Sequence, residues 1–213
     1  MENLYNKRKV YDKFQLVENQ LLENPIDFFK EWMQEAEENI GVIEANAMNV
    51  STVDADGCPR SRVVLLKAYS EEGFIFYTNY ESNKGKAIAH TPKACLHFFW
   101  PSLERQVMIK ATLEKTSKED SETYFHSRPK GSQLGALASH QSRVIESREV
   151  LQEALKHFEA EFENKEIPKP DYWGGYVAKP YEIEFWQGRP NRLHDRIRYL
   201  LEDNQWKIDR VAP

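Results

Sequence analysis

Five short β-rich runs follow one another between Ala47 and Leu113 with tight links between them, and this constrains the fold more than any other feature of the chain. The runs are Ala47 to Val53, Arg60 to Ala68, Phe74 to Asn79, Ala94 to Trp100 and Arg105 to Leu113. Asp54-Ala55-Asp56-Gly57 and Ser70-Glu71-Glu72-Gly73 have the composition of hairpin links. Sequential strands with turns this tight predict an antiparallel barrel or sandwich.

Helical patterns flank this block. Asn24-Pro25-Ile26-Asp27 supplies a capping side chain, a first-turn proline and an acid at the positive end of a helix dipole. Phe28, Phe29, Trp32, Met33 and Ala36 then recur at helical spacing as a core-facing stripe. Ser117-Lys118-Glu119-Asp120 resembles a capping box before a helix through Ser127, and a second helical pattern covers Glu146 to Phe162, ended by Pro168 and Pro170. Strands return at Glu182 to Gln187, Arg196 to Leu201 and Trp206 to Val211, the last two joined across Asp203-Asn204. The predicted class is mainly β with α: a β core flanked by helices. Residues 1–23 read as an N-terminal arm, partly mobile, and residues 24–213 as a single domain.

Charged residues make up 30% of the chain and the net charge is -5, so the molecule lacks the basic field that nucleic-acid binders rely on, and its cationic clusters read as local sites for small anions. Cys58 and Cys95 stand far apart, with neither metal-ligand spacing nor a disulfide framework, as suits a reducing cytoplasm. No apolar run approaches the roughly 20 residues of a membrane span, and the first residues lack a signal-peptide core, so a soluble, unexported protein is expected.

Four stretches carry the chemistry. After the Gly188 to Asn191 turn signal, Arg192, His194, Arg196 and Arg198 recur every second residue, so a regular strand would project all four from one face, where they repel one another unless water or an anion intervenes. Arg62-Val63-Val64-Leu65-Leu66-Lys67 sets a cation at each end of an apolar strand; five positions apart, the two would point to opposite faces. Tyr77-Thr78-Asn79 followed by Ser82-Asn83-Lys84-Gly85-Lys86 puts hydroxyl, amide and ammonium donors at a strand-to-helix junction suited to a phosphate. Tyr124, Arg128 and Ser132 stand four apart and would share one helical face, with Gln141 and Ser142 following. In the arm, Arg8 and Tyr11 lie one helical turn apart. Several anion clusters without an intrinsic nucleophile point to a cofactor that carries the chemistry.

The ordered set Arg62 to Lys67, Phe76-Tyr77-Thr78-Asn79, Leu103-Glu104-Arg105-Gln106-Val107, Tyr124-Phe125-His126-Ser127-Arg128-Pro129, Gln141-Ser142, Trp173-Gly174-Gly175-Tyr176, Glu184-Phe185-Trp186-Gln187-Gly188, Arg192-Leu193-His194-Asp195-Arg196 and the ending Trp206 to Pro213 closely resembles the pyridoxine/pyridoxamine 5'-phosphate oxidase family. The resemblance runs from about Arg8 to Pro213. It implies an FMN-binding split β-barrel working as a homodimer with FMN at the interface. It also implies oxidation of pyridoxamine 5'-phosphate or pyridoxine 5'-phosphate to pyridoxal 5'-phosphate, with hydride transfer to the flavin and reoxidation by O2 to give H2O2, and NH3 from the amine.

Carried over by position, FMN contacts would be Arg62, Val63, Val64, Leu65, Leu66, Lys67, Tyr77, Thr78, Asn83, Lys84, Gln106, Gln141, Ser142, Trp186 and Arg196. Substrate contacts would be Arg8, Tyr11, Lys67, Tyr124, Arg128, Ser132, Arg192 and His194, the last two catalytic; no metal is implied. One departure stands out: Asn83 replaces an arginine expected beside Lys84, which removes a phosphate cation that Lys86 could substitute. Two other readings compete: a non-catalytic split-barrel carrier or sensor of flavin or pyridoxal phosphate, and a flavin reductase using a nicotinamide donor.

Overall fold

The computed structural model, which describes residues 2–213, has nine strands and five helices, one helix before the first strand, one after the fourth and three grouped after the sixth. The strands are β1 (Ala47–Val53), β2 (Pro59–Leu65), β3 (Ala68–Ser70), β4 (Gly73–Asn79), β5 (Lys93–Trp100), β6 (Arg105–Lys115), β7 (Trp173–Gln187), β8 (Asp195–Glu202) and β9 (Gln205–Arg210). The helices are α1 (Pro25–Glu38), α2 (Asn83–His90), α3 (Lys118–Ser127), α4 (Lys130–Ala138) and α5 (Arg148–Glu161). The strands form one sheet in the order β2-β1-β5-β6-β7-β4-β3, with β8 pairing β7 and β9 pairing β8. The pairings β3–β4, β4–β7, β7–β8 and β8–β9 are antiparallel, which the tight links require of β3–β4 and β8–β9.

Two compact units divide the chain. The first takes the chain through Val50, Cys95–Ala111 and Pro180–Pro213; the second is Ser51–Ala94 and Thr112–Lys179. In the first, the expected stripe of α1 is buried, and its rings interlock with the sheet: Phe28 lies 4.6 Å and Trp32 5.1 Å from Phe185, and Phe29 lies 5.1 Å from Phe98. Such buried rings contribute both apolar area and preferred tilted contacts. The arm is not helical at Arg8 and Tyr11, contrary to the one-turn spacing. Instead it is irregular, with a 3-10 turn at Glu18–Gln20, and is tied down by hydrogen bonds. Glu104, 1% exposed, accepts from the backbone N–H groups of Asp12 and Lys13, Asp195 accepts from that of Leu16, and the Tyr199 hydroxyl donates to the Leu22 carbonyl.

Asn24 caps α1 by accepting from the Ile26 N–H at 2.8 Å. Asn24→Ala is expected to lower stability by about 1 kcal/mol, read as a lower denaturant midpoint at unchanged slope.

In the second unit, β4 lies against the N-terminal half of β7, from Phe74 opposite Ala178 to Asn79 opposite Trp173. Ser117 caps α3 as the capping-box spacing predicts, accepting from the Asp120 N–H at 2.9 Å. α4 was not foreseen. Its helix follows Pro129 directly, and its Leu134 joins Phe125, Ile167 and Trp173 in a buried cluster on which Leu155, Phe158 and Phe162 of the α5 segment rest. Among the described residues no helix is long and apolar enough to cross a membrane.

Candidate active site

The second unit encloses a cavity of about 950 Å³. β2 brings Arg62, Val63, Val64 and Leu65 to its wall, and Lys67 reaches the same cavity, which corrects the expectation that the two cations face apart. β2 ends at Leu65; Leu66 is buried without lining the cavity, and the Lys67 N–H donates to the Ile75 carbonyl at 2.8 Å as the chain turns into β3. Val63 and Leu65, which alternate with Arg62 and Val64, line the cavity as well, so it takes in both sides of β2 and reaches Lys67 beyond the strand's end.

Opposite β2, β4 supplies Tyr77 and Thr78, and the start of α2 supplies Asn83 and Lys84. The Ser82 hydroxyl caps α2 by accepting from the Gly85 N–H at 3.2 Å. Lys84 is only 8% exposed, and its ammonium donates to Thr78 Oγ1 and Gln141 Oε1, each at 2.8 Å. Burial, then the nearby Arg62 guanidinium, lowers its pKa to about 8. Arg62 donates through Nη1 to Thr52 Oγ1 at 2.8 Å, and burial lowers its pKa as well. The Asn83 N–H donates to Ser142 Oγ at 3.2 Å, so Gln141 and Ser142 join the same group of donors and acceptors. Lys86 does not line this cavity; it borders a smaller depression of about 200 Å³ with Asp54 and Arg60.

Tyr124, Arg128 and Ser132 all line the cavity, but not from one helical face. α3 stops at Ser127, and Arg128 is extended (φ −76°, ψ 149°), because the proline that follows disfavours helical backbone at the residue before it. The chain re-enters a helix at Lys130. Gln133 holds the break by donating to the Arg128 and His126 carbonyls at 2.8 and 3.3 Å. The Arg128 guanidinium lies 4.6 Å over the Trp173 ring, and its Nη2 donates to the Ser132 carbonyl at 2.9 Å. Its Nη1 is buried with no hydrogen-bond partner among the described residues. Tyr77 stacks on Tyr124 at 3.9 Å and on Trp173 at 5.6 Å, which makes a flat aromatic wall. Trp173 was quoted only as part of a motif, and its place in this wall follows from its register opposite Asn79.

The remaining expected residues lie in the first unit. Trp186 and His194 approach to 4.6 Å, and Tyr11 meets both, at 5.8 and 6.1 Å. Gly188 makes room for this: a Cβ there would stand 2.8 Å from the Tyr11 side chain. The expected four-residue row is broken. Asn191 and Arg192 adopt positive φ (59° and 63°) in a turn, β8 begins only at Asp195, and the strand alternation holds for Arg196 and Arg198 alone. Nor does this pair lack counter-charge. Arg196 makes a bidentate contact to Glu184 at 2.9 and 2.8 Å, and Arg198 pairs with Asp209 at 2.7 Å. His194 Nδ1 accepts from the Arg189 N–H at 3.1 Å, which leaves the ring proton of the neutral form on Nε2. Partial burial and the Arg192 charge both lower its pKa. Gln106 bonds to His97 Nε2 at 2.8 Å, and Arg8 is exposed, donating to the Tyr5 carbonyl at 3.1 Å.

A helix-flanked antiparallel sheet bearing a cation-lined cavity with an aromatic wall defines a protein of the split-barrel fold. Residues 33–160 match the family model "Pyridoxamine 5'-phosphate oxidase", and residues 173–213 match "Pyridoxine 5'-phosphate oxidase C-terminal dimerisation region". The pyridoxine/pyridoxamine 5'-phosphate oxidase of Flavobacterium johnsoniae is 58% identical over 213 residues, covering 100% of both chains. The chain therefore belongs to the pyridoxamine 5'-phosphate oxidase family. Among solved structures, PhzG from Burkholderia lata, in complex with tetrahydrophenazine-1-carboxylic acid, superimposes with a TM-score of 0.86 at 26% identity over 95% of this chain and 100% of that one. A pyridoxamine 5'-phosphate oxidase-related, FMN binding protein from Nostoc punctiforme shares the fold, with a TM-score of 0.70 at 15% identity over 91% of this chain and 100% of that one.

Proposed function

We propose that this chain oxidises pyridoxamine 5'-phosphate and pyridoxine 5'-phosphate to pyridoxal 5'-phosphate as a cytoplasmic homodimer, with FMN at the subunit interface and O2 as the final acceptor. The observation that carries the reading is the 58% identity to an oxidase across the whole chain. The cavity agrees with it: a buried Arg128 Nη1 without a partner has the chemistry to receive an anionic oxygen, and a volume of about 950 Å³ suits a flavin mononucleotide with its substrate. Neither the carrier nor the nicotinamide-dependent reading is favoured by these observations.

When bound, FMN supplies the hydride acceptor and returns the electrons to O2. In this reading the protein binds, orients and shields. Arg62 and Lys84, with Thr78, Gln141 and Ser142, hold the cofactor phosphate. Lys67, Tyr124, Arg128 and Ser132 hold the substrate phosphate, fixing the ring in reacting geometry. Arg192 and His194 act on the substrate ring, with the Nε2 proton of His194 available to a substrate oxygen or nitrogen. Its lowered pKa favours the neutral form of His194. Arg196, held by Glu184, would offer its guanidinium charge to a bound flavin.

The visible spectrum tests this. Anaerobic pyridoxine 5'-phosphate should bleach the flavin bands of the purified protein, and air should restore them with release of peroxide. Bands that stay oxidised with both phosphorylated substrates would overturn the proposal.

Lys84 adds a pH dependence. Its ammonium form holds the phosphate, and in the free protein that form is lost as pH rises through about 8. FMN affinity is therefore expected to fall above that pH, by up to about tenfold per unit, when followed by flavin fluorescence at pH 7 and 9. Stability of the FMN-free protein should move the other way. A folded pKa of about 8 against 10.5 unfolded means that the unfolded chain binds more protons between those values, so the free protein gains stability as pH rises across that window.

A further inference from the structure

Arg60 stands two residues before Arg62 on β2, so the two guanidiniums leave the same face of the strand. It lines the main cavity and also the smaller depression, and Asn83 does the same, so these two residues border both. Asp54 engages Arg60 through Nε at 3.0 Å, which orients the guanidinium and leaves the Nη1 and Nη2 fork for another acceptor. Burial lowers the pKa of Arg62 most and Asp54 raises it, with repulsion from Arg60 lowering it less; burial and then repulsion from Arg62 lower that of Lys84. A resident dianion relieves this repulsion. Asn83 contributes no charge to it. Lys86, the sequence-based candidate to replace the missing cation, borders the depression without reaching the main cavity.

We infer that Arg60 is a cofactor-binding residue of this chain, its guanidinium fork contacting the FMN phosphate as a third cation beside Arg62 and Lys84. The inference rests on the flavin reading above. A surface ion pair with Asp54 alone would be worth little and would be indifferent to flavin, so the two roles separate by experiment.

FMN-free protein is titrated with FMN and with riboflavin, which lacks the phosphate, and binding is followed by quenching of flavin fluorescence. Arg60→Ala should raise the Kd for FMN about tenfold and leave that for riboflavin unchanged, as expected for loss of one charge-assisted contact. Arg60→Lys, which keeps the charge, should fall between wild type and Arg60→Ala, and Lys86→Ala should match wild type for both ligands. An unchanged FMN Kd in Arg60→Ala overturns the inference, as does equal weakening of FMN and riboflavin, which would make Arg60 a structural residue. Failure of the wild-type protein to bind FMN would instead overturn the flavin reading, and the inference with it.

Discussion

Arg128→Ala is expected to raise the KM for pyridoxine 5'-phosphate about a hundredfold while changing kcat far less. The guanidinium is held over Trp173 and tied to the Ser132 carbonyl, and its Nη1 is buried without a partner. An unpaired buried donor is costly until an acceptor arrives, and charge-assisted bonds to a phosphate contribute about 1.5–3 kcal/mol each, so losing the fork removes roughly a hundredfold in binding. The phosphate stands away from the bond that is oxidised, so the loss appears mainly as uniform binding. Arg128→Lys should recover only part of it, because an ammonium cannot both lie flat on the indole and reach a phosphate with two donors. Steady-state kinetics with the phosphorylated substrate provide the check. A KM within about threefold of wild type would remove Arg128 from the cradle.

Gly85→Ala should have the largest effect on stability of any single methyl addition at this site. A Cβ at that position would overlap the carbonyl of Tyr80 and come within 2.7 Å of its Cα. Those are backbone atoms that cannot swing aside, and Tyr80 is itself fixed, its N–H donating to the Tyr172 carbonyl at 2.6 Å and its hydroxyl to the Gly175 carbonyl at 3.0 Å. Overpacking against rigid backbone is expected to destabilise by about 4 kcal/mol, a fall in Tm of roughly 10 °C for a chain of this size. Because α2 carries Lys84 next to this glycine, FMN affinity should fall together with stability. Thermal unfolding of the FMN-free protein measures the first effect, and a Tm within about 2 °C of wild type would show that the α2 start can move.

Much of the scaffold could be read locally. The cap at Asn24, the capping box at Ser117, the apolar stripe of α1 and the turns at Asp54 to Gly57 and Asp203-Asn204 depend on side chains a few residues apart, and the structure has them where the spacing put them. The residue types of the candidate site were legible for the same reason, since each motif is a short ordered string. Which way those residues face was not. Lys67 joins Arg62 because the cavity takes in both sides of β2 and the residues just beyond it, and Tyr124, Arg128 and Ser132 meet across a break at Pro129 that a continuous helix would not have. Arg196 is paired by Glu184 and the tautomer of His194 is set by the Arg189 N–H, each through contacts that the pairing of β7 with β8 and the 188–194 turn create.

The sequence by itself determined the class of fold, the element caps and the set of cation, hydroxyl and aromatic groups, because helix and strand periods and turn chemistry act over a few residues. Only the tertiary structure decided which cations converge, leaving Lys86 outside the cavity and bringing Arg60 into it. Convergence depends on strand register and on where regular geometry stops, and those follow from packing across the chain rather than from any one stretch of it.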